Sequence, residues 1–355
     1  MKKKTAALIY GDNPNYIDHL SPLCHFLKIP LITNVEEIFC LIKKYYPKVA
    51  VKYIENKEIN FYVVKNFDNI LACTPKNMFD TEFRFHQDIL NKEINIFWCP
   101  HGNSDKGKTV IFFEGLMHEK NVLIYGKKMK NILKEKKVFH TIENIFEIGN
   151  FRLDYFNKFK SHFKKIIKNE ISKKLSKKLS NKNLNLLYAP TWEDKEKSSS
   201  FFKYIDVLLT KLPSKYNLIV KIHHNLIVQN ETTIEIMKLK YSKKNILFLE
   251  NFPLIYPLLD FIDIYIGDFS SIGYDFLSFN KAMFLLKPQN KKLSSDLFDI
   301  ATVIDDKKIF ETIENSKLSH HALNNENLIQ KRKNLYDSTF KKTTDLEKLK
   351  NLLKT

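Results

Sequence analysis

The chain has 355 residues, 44% of them hydrophobic, which excludes a disordered polypeptide and is long enough for about two domains. Its formal net charge of +18, from 58 basic and 40 acidic residues, calls for an anionic partner: nucleic acid, an anionic membrane surface or a phosphate-bearing substrate. A composition rich in Lys, Asn, Ile and Phe is itself a second source of that charge. Cys24, Cys40, Cys73 and Cys99 show no C-x-x-C spacing and read as reduced thiols of a cytoplasmic protein. The N-terminal apolar run stops at Gly11 and Asp12, too early for a signal peptide, and no run approaches the roughly 18 apolar residues of a membrane span. A cytoplasmic protein, soluble or peripheral on the inner face of the cell membrane, is expected.

In chain order, "TAALIYG" predicts a strand, "HLSPLCHFLK" a helix and "IPLITN" a second strand. Strand-like runs follow at "KVAVKYI", "INFYVV", "NILACT", "INIFWCP" and "NVLIYG", and the first half closes with "FEIGNFRLDYF". Residues 156–182 carry ten lysines and one acid, Glu170. Their apolar residues recur every three or four positions, which predicts one amphipathic helix with a basic face, suited to an anionic membrane surface or to a solvated linker. A second series of strands begins at "LNLLYAP" and continues through "YNLIVKI", "NILFLEN", "DIYIG" and "KAMFLLKP". Near the end, Thr344 and Glu347 have the spacing of a capping box. Short apolar strands alternating with helices indicate parallel sheets and an α/β class. The predicted organisation is a first Rossmann-like domain over 1–155, a basic linker helix over 156–182, a second Rossmann-like domain over 183–325 and a helical segment over 326–355.

In open parallel sheets, ligands bind beyond the carboxyl ends of the strands, so the residues there carry the functional reading. No dinucleotide fingerprint, P-loop, H-E-x-x-H or D-x-D pair is present, so no cofactor or metal site is expected. Five strand-end stretches stand out. "WCPHGNSDKGK" delivers His101 and Gly102, then Ser104, Lys106 and Lys108: a base for an alcohol with cations for phosphate, or else a polar surface loop. "IGNFRLDYF" offers Arg152 and Asp154, a pair suited to an interdomain hinge or to ligand contact. "YAPTWED" places Thr191 and Trp192 where they could meet a nucleotide or pack in the core. "VKIHHN" ends on Lys221, His223 and His224; adjacent strand residues face opposite ways, so at most one His faces the site. "DIYIGDFSSIGYDF" sets Asp268, Ser270 and Ser271 at a strand-to-helix junction, an ordinary helix cap or a phosphate cradle.

Taken together, "HGNSDK", "IGNFRLD", "YAPTWED", "KIHHN" and "DIYIGDFSSIGYDF" resemble the CDP-glycerol glycerophosphotransferases, the family of teichoic-acid primases and polymerases and related capsule enzymes, over about residues 90–290. The resemblance implies a GT-B-like fold, two doubly wound Rossmann-like domains facing across a cleft. It also implies metal-independent transfer of glycerol phosphate, or another polyol phosphate, from a CDP-activated donor to a hydroxyl of a glycan or lipid-linked acceptor. By position, His101 matches the family's candidate base, with Gly102, Ser104 and Lys106 in the acceptor loop. His223 matches the histidine facing the donor phosphates, which Asp268, Ser270, Ser271 and Lys221 would also meet, with Thr191 and Trp192 toward the nucleotide and Arg152 and Asp154 at the hinge. On this reading Ser270 and Ser271 face the cleft opposite His101. The sequence departs from the family pattern where the usual "HGTPLK" is "HGNSDK" and where His224 replaces the Pro after the second His. A GT-B glycosyltransferase using a nucleotide sugar is the alternative enzyme. With no nucleic-acid-binding motif in the chain, no nucleic-acid partner is expected.

Overall fold

A computed structural model describes residues 3–103, 105, 113–173, 183–241, 245–250, 252–290, 292–318, 326–340, 342 and 344–353. The chain divides into two compact units. The first comprises Met1–His101, Ile111–Asn157 and Asp337–Thr355; the second comprises Gly102–Val110 and Lys158–Tyr336.

The first unit holds a seven-stranded parallel sheet: β1 (Thr5–Ile9), β2 (Leu31–Thr33), β3 (Val51–Tyr53), β4 (Asn69–Ala72), β5 (Asn95–Trp98), β6 (Asn121–Ile124) and β7 (Asn144–Glu147). Their order is β3-β2-β1-β4-β5-β6-β7, so the winding reverses between β1 and β4. Helices α1 (Ile17–Leu27), α2 (Glu36–Tyr45), α3 (Asn56–Asn66), α4 (Lys76–Leu90) and α5 (Lys127–Glu135) lie in crossovers, and α6 (Phe151–Lys158) follows the last strand. Covered sheet faces require strands that are apolar on both sides, and β1, β4 and β6 are buried along their whole length. "INFYVV" departs from expectation: it lies in α3, where Ile59, Val63 and Val64 are buried. Those positions recur at four and five residues, a helical stripe that β-branched composition disguises.

The second unit holds a six-stranded parallel sheet: β8 (Leu184–Ala189), β9 (Tyr216–Lys221), β10 (Ile246–Leu249), β11 (Ile264–Gly267), β12 (Ala282–Leu286) and β13 (Thr302–Ile304), in the order β10-β9-β8-β11-β12-β13. Its reversal falls between β8 and β11, whose register pairs Ala189 with Gly267. The edge strand β13 had no counterpart among the expected strands. Helices α7 (Lys160–Ile167), α8 (Phe201–Thr210), α9 (His224–Gln229), α10 (Glu231–Tyr241), α11 (Ile255–Phe261), α12 (Ile272–Phe276), α13 (Ile309–Leu318) and α14 (Glu326–Thr339) complete the described helices here, α14 ending in the first unit.

The single helix expected over 156–182 is instead α6, α7 and a π-helical turn at Lys168–Ser172, with a break at Phe159; residues 174–182 lie outside the described ones. Phe163, Ile166, Ile167 and Ile171 are buried, so that stripe packs inside the protein. The chain ends in α15 (Leu346–Leu352), which rejoins the first unit. Its N-cap is Asp345 rather than Thr344, and Asp345 accepts from the Glu147 N–H at 2.8 Å while its own N–H reaches the Glu147 carbonyl at 2.8 Å. Among the described residues, no helix is long and apolar enough to cross a membrane.

Candidate active site

In the first unit, β5 runs through the buried Cys99 and Pro100 to His101, whose ring lies 5.3 Å from that of Tyr16. His101 is exposed to solvent at this edge of the unit. Desolvation disfavours the cation and draws the His101 pKa down to about 4. With water still reaching the ring, the direction carries the chemistry: His101 is a neutral base at pH 7.

Behind Pro100 lies a buried polar cluster. Arg152 on α6 donates to Asp18 Oδ2 at 3.1 Å, and Tyr46 donates to Asp18 Oδ1 at 2.7 Å. Arg152 also reaches His19 Nε2 at 3.3 Å, and the Tyr125 hydroxyl lies 2.9 Å from His19 Nδ1 and 3.0 Å from the Pro100 carbonyl. The ion pair of Arg152 therefore runs to Asp18, not to Asp154 as the hinge pairing anticipated. Arg152 and Asp154 are two apart on one helix, and side chains at that spacing do not face each other. Asp154 is exposed, and partial desolvation by its neighbours pushes its carboxyl pKa upward.

In the second unit, Asp268 follows β11 and is fully buried. Its Oδ1 accepts from the N–H groups of Thr191 at 2.9 Å and Ser270 at 3.1 Å; its Oδ2 accepts from the N–H and hydroxyl of Ser200, both at 2.8 Å. Because the Ser200 hydroxyl donates to Asp268, Tyr188 must donate to Ser200 Oγ, 2.9 Å away. One carboxylate thus ties together the ends of β8 and β11 and the start of α8. Thr191 is buried, and its carbonyl accepts from Ser199 Oγ at 2.9 Å. Trp192 packs half-buried against the core, its ring 6.4 Å from that of His223.

His223 caps α9: its Nδ1 accepts from the Asn225 N–H at 3.2 Å. A neutral ring in that arrangement carries its proton on Nε2, which makes it a hydrogen-bond donor. Lys221, two residues earlier, is buried at the end of β9. The N-cap Ser271 makes no side-chain cap bond; Ser270 Oγ instead accepts from the Ile272 N–H at 3.4 Å, and α12 spans only five residues, leaving hydroxyls and loop N–H groups more important than any macrodipole. Gly102, grouped with this unit, has φ +150° and lies so close to Ser271 that an added Cβ would sit 2.6 Å from its Oγ. Asp105 is buried and accepts from Tyr274 and from Ser295 Oγ, the latter at 2.5 Å. Asn103 is buried, and its side-chain amide N–H group has no partner among the described residues. Ser104 and Lys106 lie outside the described residues.

The second unit therefore brings Thr191, Ser270 and Asp268 into one constellation and sets Trp192 beside His223. Sequence reasoning missed Ser200, although the run "KSSSFF" before an apolar helix is a start signal, and it missed His19 and Tyr125 entirely.

Two doubly wound parallel units with polar groups at their carboxyl edges make a GT-B-like fold. Residues 116–297 match the CDP-glycerol:poly(glycerophosphate) glycerophosphotransferase family, and the chain belongs to that family. It is a CDP-glycerol glycerophosphotransferase-like transferase. No curated relative matches the chain by sequence. Among solved structures, the fold is similar to the wall teichoic acid polymerase TagF, with a TM-score of 0.67 and 14% identity over 98% of this chain and 88% of that one. A TagF variant soaked with CDPG gives a TM-score of 0.64 and 13% identity over 98% and 87%. HepE of Anabaena in complex with UDP-glucose gives 0.55 and 10% over 99% and 98%.

Proposed function

We propose that the protein transfers glycerol phosphate, or another polyol phosphate, from a CDP-activated donor to a hydroxyl of a cell-surface glycan or lipid-linked acceptor. His101 takes the proton of the acceptor hydroxyl as its oxygen bonds to the glycerol-bearing phosphorus. The bond from that phosphorus to the bridging oxygen breaks, and CMP leaves with the electron pair. His223 Nε2–H, Lys221, Ser270 and Ser271 meet the charge on the phosphates, without a metal ion, and Asp268, already satisfied by Thr191, Ser200 and Ser270, holds the Ser270 loop rather than touching the anion. Thr191 and Trp192 lie toward the nucleotide, and Gly102, Ser104 and Lys106 toward the acceptor. Arg152, through Asp18, braces the first unit. Anionic lipid would meet only the lysines after α6, because the apolar stripe there is already buried.

The observation that carries this reading is a strand-end histidine held neutral in a chain of the glycerophosphotransferase family. A donor panel of CDP-glycerol, other CDP-polyols and UDP- and CMP-sugars tests it: CMP release from a CDP-polyol is expected, and turnover confined to a nucleotide sugar sinks it. That second outcome is the reading favoured by the likeness to HepE with UDP-glucose. With the active donor, His101→Ala should lower kcat roughly 10²–10⁴-fold. The acidic limb of kcat/KM should fall well below pH 6.5, since the folded pKa is depressed to about 4.

A further inference from the structure

The cluster behind His101 has a single consistent arrangement of protons. A guanidinium only donates, so Arg152 donates to His19 Nε2, which must be a lone pair. A carbonyl only accepts, so the one hydroxyl proton of Tyr125 goes to Pro100. The remaining contact, between His19 Nδ1 and the Tyr125 oxygen, then needs its proton on Nδ1. Arg152 to His19, His19 to Tyr125 and Tyr125 to the Pro100 carbonyl form a chain of donations running one way. It ends on the peptide immediately before His101. Asp18 neutralises Arg152, and Tyr46 closes the other oxygen of Asp18. His19, Tyr125, Arg152, Asp18 and Tyr46 are all nearly inaccessible to solvent. The Pro100 carbonyl also meets the weakly donating Cys99 Sγ at 3.6 Å, so the Tyr125 hydroxyl, just beyond β6, is the stronger of its two donors.

We propose that His19, held neutral with its proton on Nδ1, is a positioning residue for the transfer: through Tyr125 it fixes the Pro100 carbonyl and so the aim of His101. The proposal rests on the reading of His101 as the base. Burial, then the Arg152 guanidinium and, through space, His101 hold its pKa well below the ordinary value; Tyr125 is uncharged, and the one facing anion, Asp18, is engaged by Arg152 and Tyr46. Protonating His19 would point a second N–H at the guanidinium and break the order of the chain.

The test uses the full-length protein and whichever panel donor releases nucleotide. Tyr125→Phe keeps the ring, stacked on Phe151 at 6.2 Å, and removes only the hydroxyl. It should lower kcat about tenfold or more while leaving donor KM within about twofold, because a base displaced by a fraction of an ångström loses alignment and not substrate. His19→Asn retains a donor near Nδ1 and should keep more activity than His19→Gln, which does not. In a His101→Ala background, Tyr125→Phe should have no further effect on kcat, whereas a merely structural lesion would lower it again. Nitrogen NMR of histidine-labelled protein should show one ring in the Nδ1–H form that does not titrate between pH 5 and 8. An Nε2–H tautomer, or a midpoint near 6.5 for that ring, overturns the proposal even if a variant fails to fold. If His101→Ala leaves turnover intact, the reading of the base fails; if it abolishes turnover while Tyr125→Phe and His19→Gln do not change kcat, this inference alone fails.

Discussion

The two units face one problem, holding strand-end loops at the edge of a parallel sheet, and they meet it with opposite electrostatics. The second unit gathers the ends of β8 and β11 and the start of α8 around one buried carboxylate with four donors. The first uses neutral links in series: His19, Tyr125 and the Pro100 carbonyl, with charge confined to the Arg152–Asp18 pair. A buried anion with a full set of donors is a stability element, since removing its charge leaves several N–H groups unsatisfied at once. A chain of neutral hydrogen bonds contributes little net stability per link but fixes direction. The first unit's device should therefore govern turnover, and the second's should govern folding.

The largest effect expected from this contrast is at Asp268. Asp268→Asn would set an amide N–H₂ against the N–H of Ser200 or of Thr191 and Ser270, whichever way the amide turns. A loss of roughly 2–4 kcal/mol is expected, read as a lower midpoint in urea with unchanged slope. Tyr125→Phe removes neutral bonds only and should cost about 1 kcal/mol. The contrast breaks if Asp268→Asn unfolds no more easily than Tyr125→Phe.

Much of the framework was legible because parallel strands covered on both faces read as uninterrupted apolar runs, as "TAALI" and "NLLYA" do. Positions just beyond them, such as His101, His223 and Ser270, could be found by counting from a strand end. "INFYVV" misled because β-branched residues outvoted a helical period. The two tying devices were not legible. Asp268 and Ser200 stand 68 residues apart, and His19 and Tyr125 106 apart. His19 sits in a helix whose sequence looks ordinarily amphipathic, and nothing local marks it as half of a contact.

The next effect concerns pH, and it belongs to the first unit. Glu119 is buried; its Oε1 accepts from the Lys76 N–H at 2.5 Å, and its Oε2 has no partner among the described residues. Desolvation raises its pKa to about 7, from 4.5. A carboxyl raised on folding contributes stability that is present below pH 4.5 and lost as pH rises through 7. His19 and His101 are shifted downward, so their contribution is present above pH 6.5 and is lost as pH falls. The two slopes oppose each other between about pH 5 and 6.5. Glu119→Gln mimics the protonated acid and should remove one of them. The variant should gain roughly 3 kcal/mol over the parent at pH 8 and nothing at pH 4. An equal difference at both pH values would show that Glu119 does not titrate with folding, and the first unit would lose its claim to the pH response.

The last effect tests the loop that follows the base. Gly102 adopts φ +150°, where an L side chain is rarely tolerated, and Ser271 fills the space a Cβ would need, with its own Cβ 2.9 Å away. Gly102→Ala therefore meets both backbone strain and a contact that rotating Ser271 relieves only at Oγ. A cost on the order of 1–2 kcal/mol is expected in chemical unfolding. Pairing it with Ser271→Gly separates the two causes: the steric part should vanish and the backbone part should remain, so the double variant should recover some but not all of the loss. Full recovery would mean that crowding alone selects glycine here. No recovery would mean that φ alone does, and Gly102 would then report on the turn after His101 rather than on its packing against Ser271.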